Sequence, residues 1–178
     1  MGSKKRNIAY QRNLGVKYAA CEKLLFLDAD IELKEDFLEN SMKEVSLNII
    51  AIPFYVPASN NIKYKVFFKS INIFFKLFSK IKPCGIGMCI FSSKRIHEKV
   101  DGFNDNLKWA EDMEYVGRCT KHFKYKILKE PIFVSVRRFE KEGTRYTMKR
   151  WIKVYWYFLV NKLHKSKRID YLYRINSA

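Results

Sequence analysis

The chain has 178 residues, and its 35 Lys and Arg against 18 Asp and Glu give a formal net charge of +17. This length corresponds to about one domain, large enough to bury a hydrophobic core. Because 48% of the residues are apolar and only seven are Gly and four Pro, the composition excludes a wholly disordered, collagen-like or linker-dominated chain.

Hydrophobic periodicity predicts helices that alternate with short strands along the chain. The predicted helices cover residues 4–20, 33–45, 62–81, 94–100, 111–121 and 144–163, the fourth of them capped by Ser92 or Ser93. The predicted strands cover residues 23–27, 48–56, 84–91, 123–128 and 132–136. This alternation predicts a three-layer α/β/α fold with a mostly parallel central sheet. We expect a single domain over 1–178, with a core over 1–140 and a helical extension over 141–178 that includes an amphipathic helix.

Two predicted helices have an unusual composition. In the segment 62–81 the polar residues form one narrow stripe, which includes Lys65, Lys69 and Lys76, and the rest is a broad Phe and Ile face. Such a helix suits either a membrane interface or a core with one solvated edge, and the sequence favours neither. The aromatic helix 144–163 is too short in apolar residues to span a bilayer, but it can lie on one.

The positive charge fits three classes of partner, which are nucleic acid, an anionic membrane surface and a phosphorylated ligand. It also fits a surface that is merely rich in lysine. The charge is spread along the chain without zinc-finger spacing, basic heptads or an aromatic RNA-binding signature, so nucleic-acid binding is not expected. Peripheral association with an anionic membrane remains a candidate.

The cysteines and the hydrophobic runs bear on localisation. The four cysteines, Cys21, Cys84, Cys89 and Cys119, form no C-x-x-C pair, and the histidines are scattered. This pattern predicts reduced thiols and no structural zinc site. The N-terminal residues lack the pattern of a signal peptide. The sequence contains no run of 18 apolar residues, so no transmembrane helix is predicted. We therefore expect a cytoplasmic protein, with the inner membrane face as its peripheral site.

Three groups of charged residues are candidates for chemistry. Asp28 and Asp30 follow a buried strand, where ligands bind in open α/β sheets, and two carboxylates suit Mg²⁺ or Mn²⁺ shared with phosphates. Their alternative role is that of a helix cap or a turn. Glu111-Asp112 opens a helix and supplies either a general base or charges that complement the helix dipole. Arg137-Arg138 forms either a diphosphate clamp or a solvated surface pair.

Taken together, these segments resemble the family-two glycosyltransferases of the GT-A fold. The resemblance rests on the order of GSKKRNIAYQRNLG, LLFLDADIEL, CGIGMCIFSSKRIHEKVDGFND, WAEDMEYVGR and VSVRRFEKEG, and it covers nearly the whole chain. The family's Arg-Asn-x-Gly helix is matched by Arg12-Asn13-Leu14-Gly15, and its Ser-x-Arg-Arg segment by 135–138. The turn Asp101-Gly102-Phe103-Asn104 matches the family's Gly-Gly-Phe-Asp imperfectly.

The resemblance implies inverting transfer of a sugar from a nucleoside-diphosphate sugar to an acceptor hydroxyl or phosphate. It implies that Asp112 is the catalytic base beside Glu111 and that Asp30 holds Mg²⁺ or Mn²⁺. The donor-binding residues it implies are Arg12, Asn13, Asp28, Asp30, Arg137 and Arg138. The basic, aromatic helices suggest an acceptor that is lipid-linked, and a saccharide is the other candidate.

The chain also departs from the family, because the strand–helix–strand unit that holds the nucleotide base has no counterpart here. The missing unit is then a separate N-terminal chain, a segment omitted by a misplaced start of the sequence, or a real loss, and a homo-oligomer is a further candidate partner. Two other functions follow as alternatives. One is an inactive or partner-dependent remnant of the same fold, and the other is a basic protein that binds nucleic acid or membranes without chemistry.

Overall fold

Seven helices and five strands form within residues 7–107 and 109–163, which are the residues that this computed structural model describes. The helices are α1 (Ile8–Tyr18), α2 (Phe37–Glu44), α3 (Ile62–Phe78), α4 (Lys94–Lys99), α5 (Glu111–Cys119), α6 (Arg137–Glu142) and α7 (Thr144–Leu159). The strands are β1 (Lys23–Leu27), β2 (Ile31–Glu32), β3 (Ile49–Pro57), β4 (Cys89–Ser93) and β5 (Lys124–Val134). The α/β class expected from the sequence is confirmed.

The sheet is mixed, so the prediction of a mostly parallel sheet is wrong. Its strand order is β1-β4-β3-β5-β2, and of its neighbouring pairs only β3 and β5 are parallel. The alternation of helices and strands suggested parallel crossovers, whereas β4, whose five residues are all buried, pairs antiparallel with both β1 and β3. A central antiparallel strand that is covered on both faces buries the same residues, so the pattern does not determine direction.

Helices cover both faces of the sheet, as the three-layer arrangement requires. Phe91 of β4 packs against Phe37 of α2, with ring centroids 5.9 Å apart. The next residue, Ser92, is hydrogen-bonded to the hydroxyl of Tyr115 in α5 at 2.8 Å. Because successive side chains of a strand point to opposite faces, α2 and α5 lie on opposite sides of the sheet.

Several predicted boundaries are also corrected. The segments 123–128 and 132–136 form one strand, β5, whose pairing with β3 shifts register between Ile52 and Phe54. The predicted strand 84–91 begins only at Cys89, because 84–88 is a loop, and the predicted helix 33–45 begins at Phe37. The short elements β2 and α6 were not predicted. Residues 1–6 and 164–178 of the predicted terminal segments lie outside the described residues.

Helix α3 packs its inner face on the sheet and on α7. The rings of Phe74 and Tyr155 are 4.7 Å apart, and the Lys82 ammonium, just beyond α3, donates to the carbonyl of Phe158 and to the side chain of Asn161. The outer face of α3 is exposed, as the alternative of a core helix with a solvated edge predicts, and a membrane interface stays a prediction. Among the described residues, no helix is long and apolar enough to cross a membrane.

A buried histidine lies in the aromatic core between β1 and α5. The His97 ring is within about 6 Å of the rings of Phe26, Phe103 and Tyr115, and its Nδ1 has no hydrogen-bond partner among the described residues. Burial, with a further contribution from the Arg118 charge, lowers the pKa of His97 to about 4. Between these two pKa values, His97 is mostly neutral in the folded protein and mostly protonated in the unfolded chain.

We expect His97 to reduce stability on acidification. Between about pH 6.5 and pH 4 the unfolded chain binds a proton that the folded protein excludes, so the free energy of unfolding falls as the pH falls. The His97 contribution to this loss is about 2 kcal/mol between pH 7 and pH 4.5. Urea unfolding at both pH values should show a smaller difference for His97→Leu than for the wild type. His122→Leu, at an exposed site, should keep the wild-type difference, and equal differences in all three proteins would contradict the prediction.

Candidate functional site

Arg12 joins three distant segments of the chain at the carboxyl end of β1. Its Nη1 donates to Glu111 Oε1 at 2.9 Å, and its Nη2 donates to Asp28 Oδ1 and to the carbonyl of Gly87, both at 3.1 Å. The guanidinium also lies 5.3 Å from the centre of the Phe103 ring. Two carboxylates and one carbonyl thus use the planar donor geometry of arginine, which lysine lacks.

Gly87 lies between Arg12 and Asp112. Its N–H donates to Asp112 Oδ2, and its carbonyl accepts from Arg12. A Cβ atom at this position would lie 2.7 Å from Arg12 Nη2 and 2.9 Å from Asp112 Oδ2, closer than side chains pack. A side chain at position 87 would therefore push the ends of the Arg12 and Asp112 side chains away from their contacts with this peptide.

Asp112 is held by backbone donors at the start of α5. Its Oδ1 accepts from the N–H of Met113 at 2.7 Å, and its Oδ2 accepts from Gly87. Burial raises the pKa of Asp112, and the Arg12 charge together with these N–H groups opposes that rise. Each carboxylate oxygen can accept a second hydrogen bond, so the group can still receive a proton from a bound molecule.

The backbone is strained immediately before the two acidic residues. Ala110, the N-cap of α5, has a φ of 55°, in the left-handed region that costs a residue with a Cβ about 1–2 kcal/mol. Residues held in this way tend to cluster at functional sites. Ala110 also lines a cavity together with Asp112, so the strain occurs where a ligand would meet the protein.

Glu111 and Asp112 face different partners although they are adjacent. Glu111 is buried and bound to Arg12, and burial, with the neighbouring Asp112 charge, raises its pKa to about 7. Its contact makes Glu111 a residue that positions Arg12, whereas Asp112 lines the cavity. The catalytic roles proposed for the pair remain predictions, and the geometry separates the two residues.

The two aspartates that follow β1 differ in their surroundings. Asp28 is bound to Arg12 with 43% of its side chain exposed, and burial is the main cause that raises its pKa. Asp30 is exposed in the turn between β1 and β2. Because Ile31 pairs with Val134 in an antiparallel register, Asp30 lies beside the segment that follows β5. Arg137 begins α6 just beyond that point.

Arg137 and Arg138 are both exposed, in the first turn of α6. The sheet register brings their segment to the same end of the sheet as Asp30. Neither guanidinium forms an ion pair with Asp28, Asp30 or Asp112 among the described residues. The predicted diphosphate clamp therefore has a suitable location and free side chains, and its role remains a prediction.

The carboxylates at this end of the sheet fit one mode of metal binding. No group of three or more His, Cys, Asp or Glu that could hold a metal occurs within residues 7–107 and 109–163. Mg²⁺ is often held by one or two carboxylates together with substrate phosphates, and this mode requires no protein cage. The exposed Asp30 carboxylate fits such a site, with Asp28 held nearby by Arg12.

Asn13 has a structural contact that the sequence did not suggest. Its Nδ2 donates to the carbonyl of Phe103, and its Oδ1 accepts from the Phe103 N–H, both at 2.8 Å. A Cβ at Gly102, whose φ is +67°, would lie 2.7 Å from Asn13 Oδ1. Asn13 therefore fixes the turn at 101–103. Both ends of its amide are bound to Phe103, and the donor-binding role drawn from the sequence stays a prediction.

A cavity of about 620 Å³ opens between α3, α7 and the start of α5. Aromatic and aliphatic side chains line it, including Phe74, Trp109 and Trp151, and within residues 7–107 and 109–163 Asp112 is the one charged residue in its lining. Sequence analysis missed this cavity because its walls come from helices far apart in the chain. The only signal was the broad Phe and Ile face of the segment 62–81.

Comparisons with known proteins do not extend this description. No protein-family model matches the chain, and a search of curated proteins also finds no match.

Proposed function

We propose that the protein is an inverting glycosyltransferase that transfers a sugar from a nucleoside-diphosphate sugar to an acceptor hydroxyl or phosphate. One observation carries the proposal. Asp112, the only charged residue among the described residues that line the apolar cavity, is linked through Gly87 and Arg12 to Asp28 at the carboxyl end of β1. A candidate base beside a ligand-sized cavity is thus joined to candidate donor-binding carboxylates.

The finer fold assignment belongs to the same proposal. We assign the mixed sheet and its flanking helices to the GT-A fold, because the order of the motifs along the chain resembles that of family two. The sheet order and the helices on both faces are compatible with this assignment. The convergence of Arg12, Asp28 and Asp112 supports it, since these residues come from three of the matched motifs.

In the proposed reaction, Asp112 takes the proton of the acceptor hydroxyl. The acceptor oxygen bonds to the anomeric carbon, and the bond from that carbon to the diphosphate oxygen breaks on the opposite side, with its electron pair leaving on the diphosphate. Arg137 and Arg138 face the growing negative charge. Asp30 would hold Mg²⁺ or Mn²⁺, which would supply further positive charge to stabilise the leaving diphosphate. An acceptor phosphate needs no base, and Asp112 then contributes less to the rate.

Two rival functions have their own support. The Arg12–Asp28 ion pair occupies one carboxylate of the donor side, as expected for an inactive remnant that keeps the fold. The basic surface of α3 and α7 suits a protein that binds polyanions without chemistry. Both rivals predict that replacing the Asp30 carboxylate leaves the binding of nucleotide sugars unchanged.

A thermal-shift experiment tests the proposed function. The wild type, Asp30→Asn and the control Asp36→Asn are heated with UDP-glucose, UDP-N-acetylglucosamine or GDP-mannose, with and without Mn²⁺. Asp36 is exposed at the start of α2, and its side chain makes no capping hydrogen bond that the change to Asn would disturb. At a sugar nucleotide concentration of about ten times the dissociation constant, we expect a Tm rise of about 3–5 °C. The rise should require Mn²⁺ and be lost only in Asp30→Asn.

Two results would contradict the proposal. Equal shifts in all three proteins that fade as salt is added would indicate polyanion binding by a basic surface. The absence of any shift across the panel would show that this chain lacks a working donor site.

A further inference from the structure

We propose that the cavity between α3 and α7 holds the hydrocarbon chain of a lipid acceptor, drawn from an anionic membrane, with the lipid head beside Asp112. The inference names the acceptor class for the proposed function and rests on it for the role of Asp112. The lipid site itself stands on separate observations, which are the lining of the cavity, its mouth and the charge around that mouth.

The cavity has the size and lining of a site for an apolar ligand. Its volume of about 620 Å³ falls within the range of ligand pockets. In the part of the chain that the structure describes, the lining residues with a hydroxyl or a charged group are Ser70, Asp112 and Tyr155. A saccharide alone would leave hydroxyls without partners against Phe74, Phe75 and Phe78, and this loss is unfavourable. A hydrocarbon chain needs no such partners.

The mouth of the cavity continues onto an exposed apolar surface. Val66, Ile73 and Leu77 on α3 are 57%, 50% and 62% exposed, and their spacing places them on one side of the helix. On α7, Ile152 and Trp156 are 60% and 62% exposed, one helical turn apart. Ile152 also lines the cavity, so the outer surface and the interior are continuous. A lipid can therefore pass from a membrane to the cavity without crossing a polar rim at Ile152.

The charge around this surface identifies an anionic partner. Helices α3 and α7 each carry four Lys or Arg, and neither contains an Asp or Glu. Lys65, Lys69 and Lys76 are exposed along one stripe of α3, and Lys149 and Lys153 are exposed on α7. Basic residues that flank aromatic and aliphatic ones are typical of helices that lie in an anionic membrane interface. A nucleic-acid surface would not need the Ile, Leu and Trp side chains between them.

Alkyl phosphates of increasing length, kept below their micelle concentration, probe the site without a sugar donor. Butyl, octyl and dodecyl phosphate are titrated against the wild type, Ile152→Glu and Ile62→Glu, with tryptophan fluorescence as the readout. The two variants change the charge equally at exposed sites, but only Ile152 lines the cavity. We expect the wild-type affinity to rise about three- to fourfold per added methylene. Ile152→Glu should bind dodecyl phosphate at least tenfold more weakly than the wild type, and Ile62→Glu should keep the wild-type affinity.

Vesicles test whether the lipid comes from a bilayer. Phosphatidylcholine vesicles with and without phosphatidylglycerol, both carrying brominated acyl chains, are mixed with the same three proteins. We expect tryptophan quenching only with the anionic vesicles, and less of it in Ile152→Glu. An affinity for alkyl phosphates that does not change with chain length would overturn the inference. Equal losses of affinity in Ile152→Glu and Ile62→Glu would also overturn it. Failure of the nucleotide-sugar panel with success here would leave the lipid site standing and remove the proposed transfer reaction.

Discussion

Replacing Arg12 by methionine is expected to lower the free energy of unfolding by about 3 kcal/mol at pH 7.5. The Arg12 side chain is 12% exposed and neutralises Glu111, whose side chain is 10% exposed, as well as Asp28. Methionine keeps the length of the side chain but leaves the buried carboxylates without their cation, and an unpaired buried charge is strongly unfavourable. Urea unfolding followed by circular dichroism measures the loss.

The loss should depend on pH, with a direction that follows from the carboxylates. Arg12 holds the pKa values of Glu111 and Asp112 below those that burial alone would give, so its removal raises both further. A folded-state pKa above the unfolded value means that the folded protein gains stability as the pH falls. The difference in free energy of unfolding between the wild type and Arg12→Met should therefore be largest above pH 7 and become smaller toward pH 5.

Arg95→Met serves as the matched control, since Arg95 is exposed on α4. We expect it to change the free energy of unfolding by less than about 0.5 kcal/mol at either pH. A similar loss in the two variants, or a deficit in Arg12→Met that does not change with pH, would show that Arg12 acts only through packing.

The sequence predicted those elements of the fold whose signals are local. Strand β1 was predicted with its observed ends, because the apolar run is bounded by charged and turn-forming residues. The helix α4 was predicted with its cap, and the Ser93 hydroxyl accepts from the N–H of Ile96 as expected. The direction of β4 was not predictable, because it depends on which strands flank it in the folded sheet.

Pro131 shows why β5 was divided in the prediction. Proline ordinarily argues against a central strand, since it has no N–H to donate. In the structure Pro131 lies directly after the register shift between β3 and β5, where the regular ladder is already interrupted. The strand therefore continues through a residue that local rules would place at its end.

The charged part of the candidate site was more predictable than its apolar part. Arg12, Asp28, Glu111 and Asp112 were all candidates from the sequence, and the structure brings them into one network. The cavity was not predicted, because a Phe or Trp in an amphipathic helix shows the same pattern whether it lines a cavity or fills a core. The close approach at Gly87 likewise requires knowledge of both of its neighbours.

Replacing Asp112 by asparagine is expected to reduce the proposed transfer to a hydroxyl acceptor by about 10²–10⁴-fold. The amide cannot take the acceptor proton, although it keeps the shape of the side chain beside Gly87 and Met113. The substitution loses one of the two hydrogen bonds from these N–H groups, which lowers the free energy of unfolding. It also removes a desolvated charge, which raises the free energy of unfolding, so the two effects oppose each other. We therefore expect a small change in Tm with a large loss of rate.

The rate is measured as release of UDP or GDP from whichever sugar nucleotide stabilises the protein, with dodecanol as a hydroxyl acceptor and dodecyl phosphate as a phosphate acceptor. Because burial raises the pKa of Asp112, the wild-type rate with dodecanol should fall on acidification at a higher pH than for an ordinary aspartate. Asp36→Asn carries the same chemical change at an exposed site and should keep the wild-type rate and pH profile. Transfer to dodecyl phosphate that survives in Asp112→Asn, while transfer to dodecanol is lost, would identify Asp112 as a proton acceptor. Equal retention with both acceptors would contradict that role, because a side chain that only shapes the cavity does not distinguish a hydroxyl from a phosphate by its proton.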